Sequence, residues 1–236
     1  VTGLDLPDNQ VRFAFVQLED EIANAIAISY HETPDPNALQ KRLLEQVRTL
    51  YRSDDLSNAL SLGQLEPLAL PFESYQLAFT PEHLELVLGD RLIDSMLTDE
   101  GRYVHFDGDD NWWIPSGQVF MSPNENDDAA EELAFAQQHF FLPQHFRDPF
   151  DQSSFVTYDN YDLLLVETRD PLGNRVTAGE RGNNGNPEPR LNYRVMQAEL
   201  MTDPNGNRSA VAFDVPGMVA GTAVMGKATE TVGDSL

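Results

Sequence analysis

"TRDPLGNRVT", residues 168–177, and "TDPNGNRSAV", residues 202–211, share a six-residue core, Asp-Pro-x-Gly-Asn-Arg. Asp170 and Asp203 stand 33 residues apart. The chemistry of the core is that of a tight turn. Asp170 or Asp203 accepts hydrogen bonds from backbone N–H groups just ahead, and Pro171 or Pro204 pre-sets φ. Gly173 or Gly206 takes a positive φ, and Asn174 or Asn207 tolerates the same left-handed region. "FDVPGMV", residues 213–219, is a looser copy with Asp214 and Gly217, and "YDNYDLL" precedes the first copy. A ligand site occurs once, where chemistry needs it; a turn recurs wherever a sheet folds back. The repeat therefore reads as strand, turn and strand, in a sheet that grows by adding units.

The rest of the chain is placed around that sheet. Alternation predicts a strand in "VRFAFVQLED", and "ANAIAISYHE", residues 23–32, leans the same way. Asn37 is a plausible N-cap for a helix over 37–52, where Leu39, Leu43, Leu44, Val47 and Leu50 recur at helical spacing. A short helical turn follows, ended by Gly63, and then a strand, "ESYQLAF". Thr80-Pro81-Glu82 opens a second helix, near 80–93, and the acidic start of "DDAAEELAFAQQHFF" a third, near 126–140. "HFFLPQHF" reads as an aromatic segment that leaves this helix and plugs the core. Beyond Pro143 the pattern is almost wholly β, with strands at 154–158, 162–169, 174–178, 191–201, 207–213 and 218–225. "AGERGNNGNPEPRL" reads as a mobile loop. The fold class expected is α+β, with a mixed segment over 1–143 and a β-rich segment of antiparallel hairpins over 144–236.

Composition excludes several functions. The 236 residues hold 15 Lys and Arg against 39 Asp and Glu, a formal net charge of −24. Such a balance argues against a nucleic-acid partner, which requires a basic surface. With no cysteine, disulfides, thiolate zinc sites, iron–sulfur clusters and a cysteine nucleophile are ruled out. No apolar run reaches membrane-spanning length. The N-terminus lacks an initiator Met and a leader pattern, so both ends read as cuts within a longer chain.

Few constellations suggest chemistry. Asp107, Asp109, Asp110 and Asn111 in "FDGDDN" form one calcium candidate. An EF-hand counted from Asp107 requires Gly sixth and Glu twelfth, where the chain has Trp112 and Gln118. Trp112 and Trp113, the only tryptophans, could stack on a sugar ring if exposed, although on a strand they point to opposite faces. With the aspartate turn they define an alternative reading, a carbohydrate- or calcium-binding module. His139 and His145 are six apart across Pro143 and share no helical face, so they do not read as zinc ligands. There is no Gly-x-Ser-x-Gly elbow. No catalytic residue and no cofactor is expected.

The Tyr/Phe-Asp-x-x-Gly units resemble the YD repeats of Rhs-type proteins. A larger likeness runs from about residue 47 to 227. "VRTLYRSDDL", "LEPLALPFESYQLAFT", "YVHFDGDDNWWIPSGQVFMSP", "ELAFAQQHFFLPQHFRDPF", "TYDNYDLLLVETRDPLGNRVT" and "NYRVMQAELMTDPNGNRSAVAFDVPGMVAGTAVMGK" resemble successive blocks of the B component of bacterial insecticidal toxin complexes, the TcB-like Rhs-containing proteins. The resemblance implies a secreted virulence protein and a structural role without catalysis. In that family the B and C components build a β-strand shell that encapsulates a toxic polypeptide until a channel-forming A component delivers it. The partners implied are neighbouring segments of the same longer chain, the C component and, through the full-length protein, the A component, with no membrane contact of this segment's own. The family's C component can carry an aspartyl self-cleavage site on Asp-Pro-x-Gly units. The longer signature around it is absent here, so Asp170 and Asp203 read as turn residues.

Overall fold

The computed structural model describes residues 15–230 and 232–236. Strand residues, 38%, outnumber helical ones, 15%, so the α+β expectation resolves to a mostly β chain. Three α-helices occur among the described residues, α1 (Phe15–Asn24), α2 (Pro81–Val87) and α3 (Ala129–Gln138). The first strands are β1 (Ile26–Ile28), β2 (Gln40–Arg42), β3 (Val47–Arg52), β4 (Leu70–Phe79), β5 (Val104–Phe106) and β6 (Asp109–Phe120). Next come β7 (His145–Arg147), β8 (Ser153–Tyr158), β9 (Leu165–Arg169), β10 (Arg175–Thr177), β11 (Gly179–Arg181) and β12 (Pro187–Pro189). The last are β13 (Leu191–Asn192), β14 (Gln197–Ala198), β15 (Leu200–Thr202), β16 (Arg208–Phe213) and β17 (Val219–Met225).

The chain divides into two units, neither continuous in sequence. One holds the described residues up to 48 together with 75–115, the other the described residues of 49–74 and 116–236, so the division does not fall at residue 143. β3, β4 and β6 contribute residues to both.

In the first unit, β1 and β2 pair in parallel, Ile26 opposite Gln40. β5 pairs with β6 antiparallel, Val104 opposite Trp113. Thr80 Oγ1 accepts the His83 N–H at 3.3 Å and Pro81 follows it at the first turn, which starts α2 as the sequence suggests. The helix expected over 37–52 does not form. Asn37 donates its N–H to Asp35 Oδ1 in a local turn instead of capping, and β2 and β3 occupy the segment. Leu43, Leu44 and Val47 remain exposed, so no helical apolar stripe is buried, and side-chain partners distant in sequence hold the extended backbone. The strand expected from residue 11 is also displaced. Residues from Phe15 are helical, and the earlier part of that stretch lies outside the described residues.

The second unit carries a long sheet ordered β17-β16-β15-β10-β9-β8-β7-β6-β4-β3. From β6 to β17 its pairs are antiparallel. Asp128 starts α3 with a capping box: its carboxylate accepts the N–H groups of Ala130 and Glu131, and Glu131 returns a bond to the Asp128 N–H. Below this helix, Leu56, Leu70, Met121 and Ala136 form a buried cluster against which Val119, Leu133 and Phe141 pack. The aromatic plug is half realised: His145 and Phe141 pack inward, while Phe140 is exposed. Residues 53–59 form a turn closed by the Ser53–Asn58 bond and a bridge between Arg52 and Ala59, not a helical turn.

At residue 178 the chain leaves the main ladder and makes two short hairpins, β11–β12 and β13–β14, before returning as β15. The loop expected over 178–191 is therefore ordered. Gly179 makes it possible: its φ is +134°, and a Cβ there would lie 2.2 Å from the Glu188 carbonyl oxygen. The strand expected over 191–201 is interrupted by a turn at residues 192–196.

The sheet has two unlike faces. Phe155, Arg169 and Arg175 are directly opposite one another on β8, β9 and β10, and Glu167, Thr177, Thr202 and Arg208 align in the next row. Side chains in register share a face. The other face carries Phe146, Ser154, Val156, Thr168, Val176 on β7 to β10 and Met201, Ser209 and Val224 on β15 to β17, with no charge among them.

Candidate functional site

The site grows out of the repeated turn. In the first copy the Gly173 N–H donates to the Asp170 carbonyl at 3.0 Å, and the Asp170 N–H donates to the Asn174 carbonyl at 3.0 Å. Asp170 Oδ1 accepts the Asn174 N–H at 2.8 Å and Oδ2 accepts the Asn174 side-chain amide at 2.7 Å. The second copy repeats each bond, with Asp203 Oδ1 2.8 Å from the Asn207 N and Gly206 2.9 Å from the Asp203 carbonyl. Gly173 and Gly206 have φ of +87° and +83°. This is a three-residue hairpin loop, a turn followed by a left-handed residue. The Asn174 and Asn207 amides, together with backbone N–H groups, hold both aspartate pKa values below the ordinary carboxylate range.

Three more aspartates make the same turn. Asp148, Asp159 and Asp214 each accept the i+3 N–H on the carbonyl, at 3.0 Å, and the i+4 N–H on Oδ1, at 2.7–2.8 Å. Gly217 fills the left-handed position in the copy at Asp214, with φ +95°, but Asp151 and Asp162 fill it in the other two, with φ +59° and +56°. Because Asp stands where Gly is expected, a search for Asp-Pro-x-Gly passes over them. The spacing would have found them: Asp148, Asp159 and Asp170 are eleven residues apart, as are Asn192, Asp203 and Asp214.

The arginine that ends each sequence copy, Arg175 and Arg208, points into one cavity of about 490 Å³. Gly173 and Asn174 from one turn and Asp203, Pro204 and Gly206 from the other form its rim, and Glu180, Arg181 and Lys227 complete its charged lining. Glu167 lies beneath, 6% exposed, bonded to Arg175 through one oxygen and to Arg181 through the other, and accepting the Thr177 hydroxyl at 2.9 Å. Burial alone would raise its pKa, but Arg181, Thr177 and Arg175 outweigh that and hold it low. Arg208 donates to Glu180 at 2.7 Å and to the Gly226 carbonyl at 3.0 Å. The sequence identifies Arg175 and Arg208 as motif members only; the sheet brings them together.

The calcium candidate is not assembled. Asp109 is bound to Arg48 at 2.6 Å and accepts the Asn111 N–H at 2.9 Å. Among the described residues no group of three or more His, Asp or Glu is placed to hold a metal ion, so Asp107, Asp109 and Asp110 do not converge. The tryptophans offer no exposed platform either. Trp112 is 5% exposed and packs on His105; Trp113 is fully buried, edge-on to Phe106 and beneath the Arg48 guanidinium at 4.0 Å. They do point to opposite faces of β6, but both faces are covered.

No family model and no curated protein matches the sequence. Solved structures share the fold. A TcdB2–TccC3 complex with Cdc42 matches 80% of this chain at TM-score 0.52 and 19% identity. TcdB2–TccC3 matches 77% at 0.51 and 18%, and a Photorhabdus luminescens Tc holotoxin pore carrying a TccC3 mutation matches 81% at 0.52 and 19%. In each case this chain spans 8% of the length of the solved chain. The fold is thus that of a segment of chains found in Tc toxin complexes. Among the described residues no helix is long and apolar enough to cross a membrane.

Proposed function

We propose that the chain is a structural segment of the β-strand shell of a secreted toxin complex, in the B component, and that it helps enclose a toxic polypeptide for delivery without performing catalysis. The fold match to TcdB2–TccC3 over 77–80% of the chain carries this reading. Two features of the sheet support it. The hairpin turn recurs at eleven-residue spacing, at Asp148, Asp159 and Asp170 and again at Asp203 and Asp214, a unit that extends a wall by repetition. On β7 to β10 and β15 to β17 the sheet also leaves one face uncharged, in a chain of net charge −24, which suits a lining facing apolar polypeptide better than one facing solvent. Its partners are then neighbouring segments of the same protein, a C component and, through the full-length protein, a channel-forming A component. The test is to co-express the natural full-length protein with its C-type partner and follow the partner's toxic region under limited proteolysis. Protection within a co-purifying complex is expected. Digestion as fast as in the partner alone removes the reading.

A further inference from the structure

We infer that the cavity between the twin turns is a binding site for a small, multiply charged oxyanion, a ligand bearing two or more carboxylate or phosphate groups. The inference rests on the charges in the cavity and holds whether or not the chain is part of a shell.

Charge count is the first argument. Arg175, Arg181, Arg208 and Lys227 line the cavity. Against these four cations stand three carboxylates, Glu180 and Asp203 on the lining and Glu167 beneath, which leaves a surplus of one. Asp203 is engaged by the Asn207 side chain and by the N–H groups of Asn205 and Asn207. Arg175 and Arg181 share the single carboxylate of Glu167. Lys227 is exposed, and its ammonium forms no ion pair among the described residues.

Sheet register is the second. Arg169 and Arg175 are directly opposite on β9 and β10. Like charges opposite one another destabilise an antiparallel pair. Arg169 has no ion pair among the described residues; its guanidinium lies 4.2 Å from the Phe155 ring centroid and lines an adjoining cavity of about 290 Å³. Glu167 and Arg175 also line this second cavity. Arg169, on the adjoining cavity that shares Glu167 and Arg175 with the first, thus adds a second cation without a carboxylate partner among the described residues.

Preorganisation is the third. Glu167, itself held by the Thr177 hydroxyl, fixes Arg175, and Glu180 and two backbone carbonyls fix Arg208, so little side-chain freedom is lost when a ligand arrives. Arginine forks match carboxylate and phosphate geometry. A volume of about 490 Å³ is within the range of small-molecule sites.

Isothermal titration calorimetry on the natural full-length protein, with pyrophosphate in one arm and citrate in the other at physiological salt, tests the inference. Saturable binding of at least one anion is expected, and the arm that binds more tightly distinguishes phosphate from carboxylate. A Lys227→Gln/Arg169→Gln variant removes the two unpaired cations without breaking a carboxylate pair, and should weaken that binding about ten-fold or more. Arg91→Gln, a cation change elsewhere on the surface, should leave it unchanged. Circular dichroism checks that each variant is folded. No saturable heat with either anion up to about 10 mM, a range where even millimolar affinity would register, overturns the inference. So does binding that the double variant leaves intact.

Discussion

Arg52 and Glu132, 80 residues apart in sequence, meet through two hydrogen bonds of 2.8 and 2.9 Å, with both side chains less than a tenth exposed. Glu132 also accepts the Met121 N–H at 2.7 Å, and Arg52 donates to the Leu56 carbonyl. The pair therefore ties α3 to β3 and to the end of β6, beside the apolar cluster of Leu56, Leu70 and Met121. Removing one partner of such a buried pair leaves a charge unpaired. Glu132→Gln is expected to destabilise the protein by about 3–5 kcal/mol. An unchanged midpoint in urea-induced unfolding would contradict that account.

Two glycines with the same backbone sign should respond differently to alanine. Gly206 has φ +83° and no atom within 3.4 Å of a built Cβ, so Gly206→Ala meets backbone strain alone, about 1 kcal/mol. Gly117 has φ +95°, and its Cβ would fall 2.4 Å from the Arg147 carbonyl oxygen on β7. Gly117→Ala must also push two paired strands apart and should cost at least about 2 kcal/mol more than Gly206→Ala. Thermal melts of the two variants side by side measure the difference.

Asp170 and Asp203 should set part of the acid limb of stability. Both have pKa values below the unfolded value of 3.8. For a depressed carboxylate the contribution is fully present above the unfolded pKa and is lost as pH falls through the folded pKa. Between pH 5 and pH 2.5, the urea midpoint of Asp170→Asn/Asp203→Asn should therefore fall less steeply than that of the parent.

His145 should set another limb at milder pH. Its ring is 2% exposed and stacked on Phe120 at 4.4 Å. Nδ1 lies 2.7 Å from the Ser122 carbonyl, while Nε2 is buried without a partner. Burial lowers its pKa below 6.5, reinforced by Arg147 and opposed by the Ser122 carbonyl, Glu125 and Glu132. Protonation thus favours the unfolded chain: stability is full above pH 6.5 and declines as pH falls toward the folded pKa. In His145→Phe the decline between pH 7.5 and 5 should shrink. A variant with the parent's pH dependence would remove His145 as its source.

The tryptophans should behave as core residues. With Trp113 fully buried and Trp112 5% exposed, intrinsic fluorescence should be blue-shifted and resist acrylamide quenching. Millimolar calcium should leave the spectrum unchanged, because Arg48 holds the Asp109 carboxylate. Efficient quenching, or a calcium-dependent shift, would reopen the aspartate turn as a ligand site.

The turns are legible in the sequence alone. Asp170, Gly173 and Asn174, like Asp203, Gly206 and Asn207, satisfy one another within five residues, so their chemistry fixes the hairpin without distant help. The cap at Thr80 and the acidic start of α3 are legible for the same reason. Whatever depends on partners far along the chain is set by the three-dimensional fold. Residues 37–52 carry a helical period, yet Arg48 is held by Asp109 and Arg52 by Glu132, and the segment is extended. The loop over 178–191 is ordered because Gly179 lets the Glu188 carbonyl approach. Neither Trp112 nor Trp113 reveals in sequence that both faces of its strand are covered. The shared cavity of Arg175 and Arg208 arises because the chain leaves the ladder at residue 178, returns at residue 200 and sets β15 beside β10, bringing together two turns 33 residues apart. Local hydrogen bonding writes a turn into five residues, whereas the side chains that two turns bring together depend on strand pairing, which no local pattern encodes.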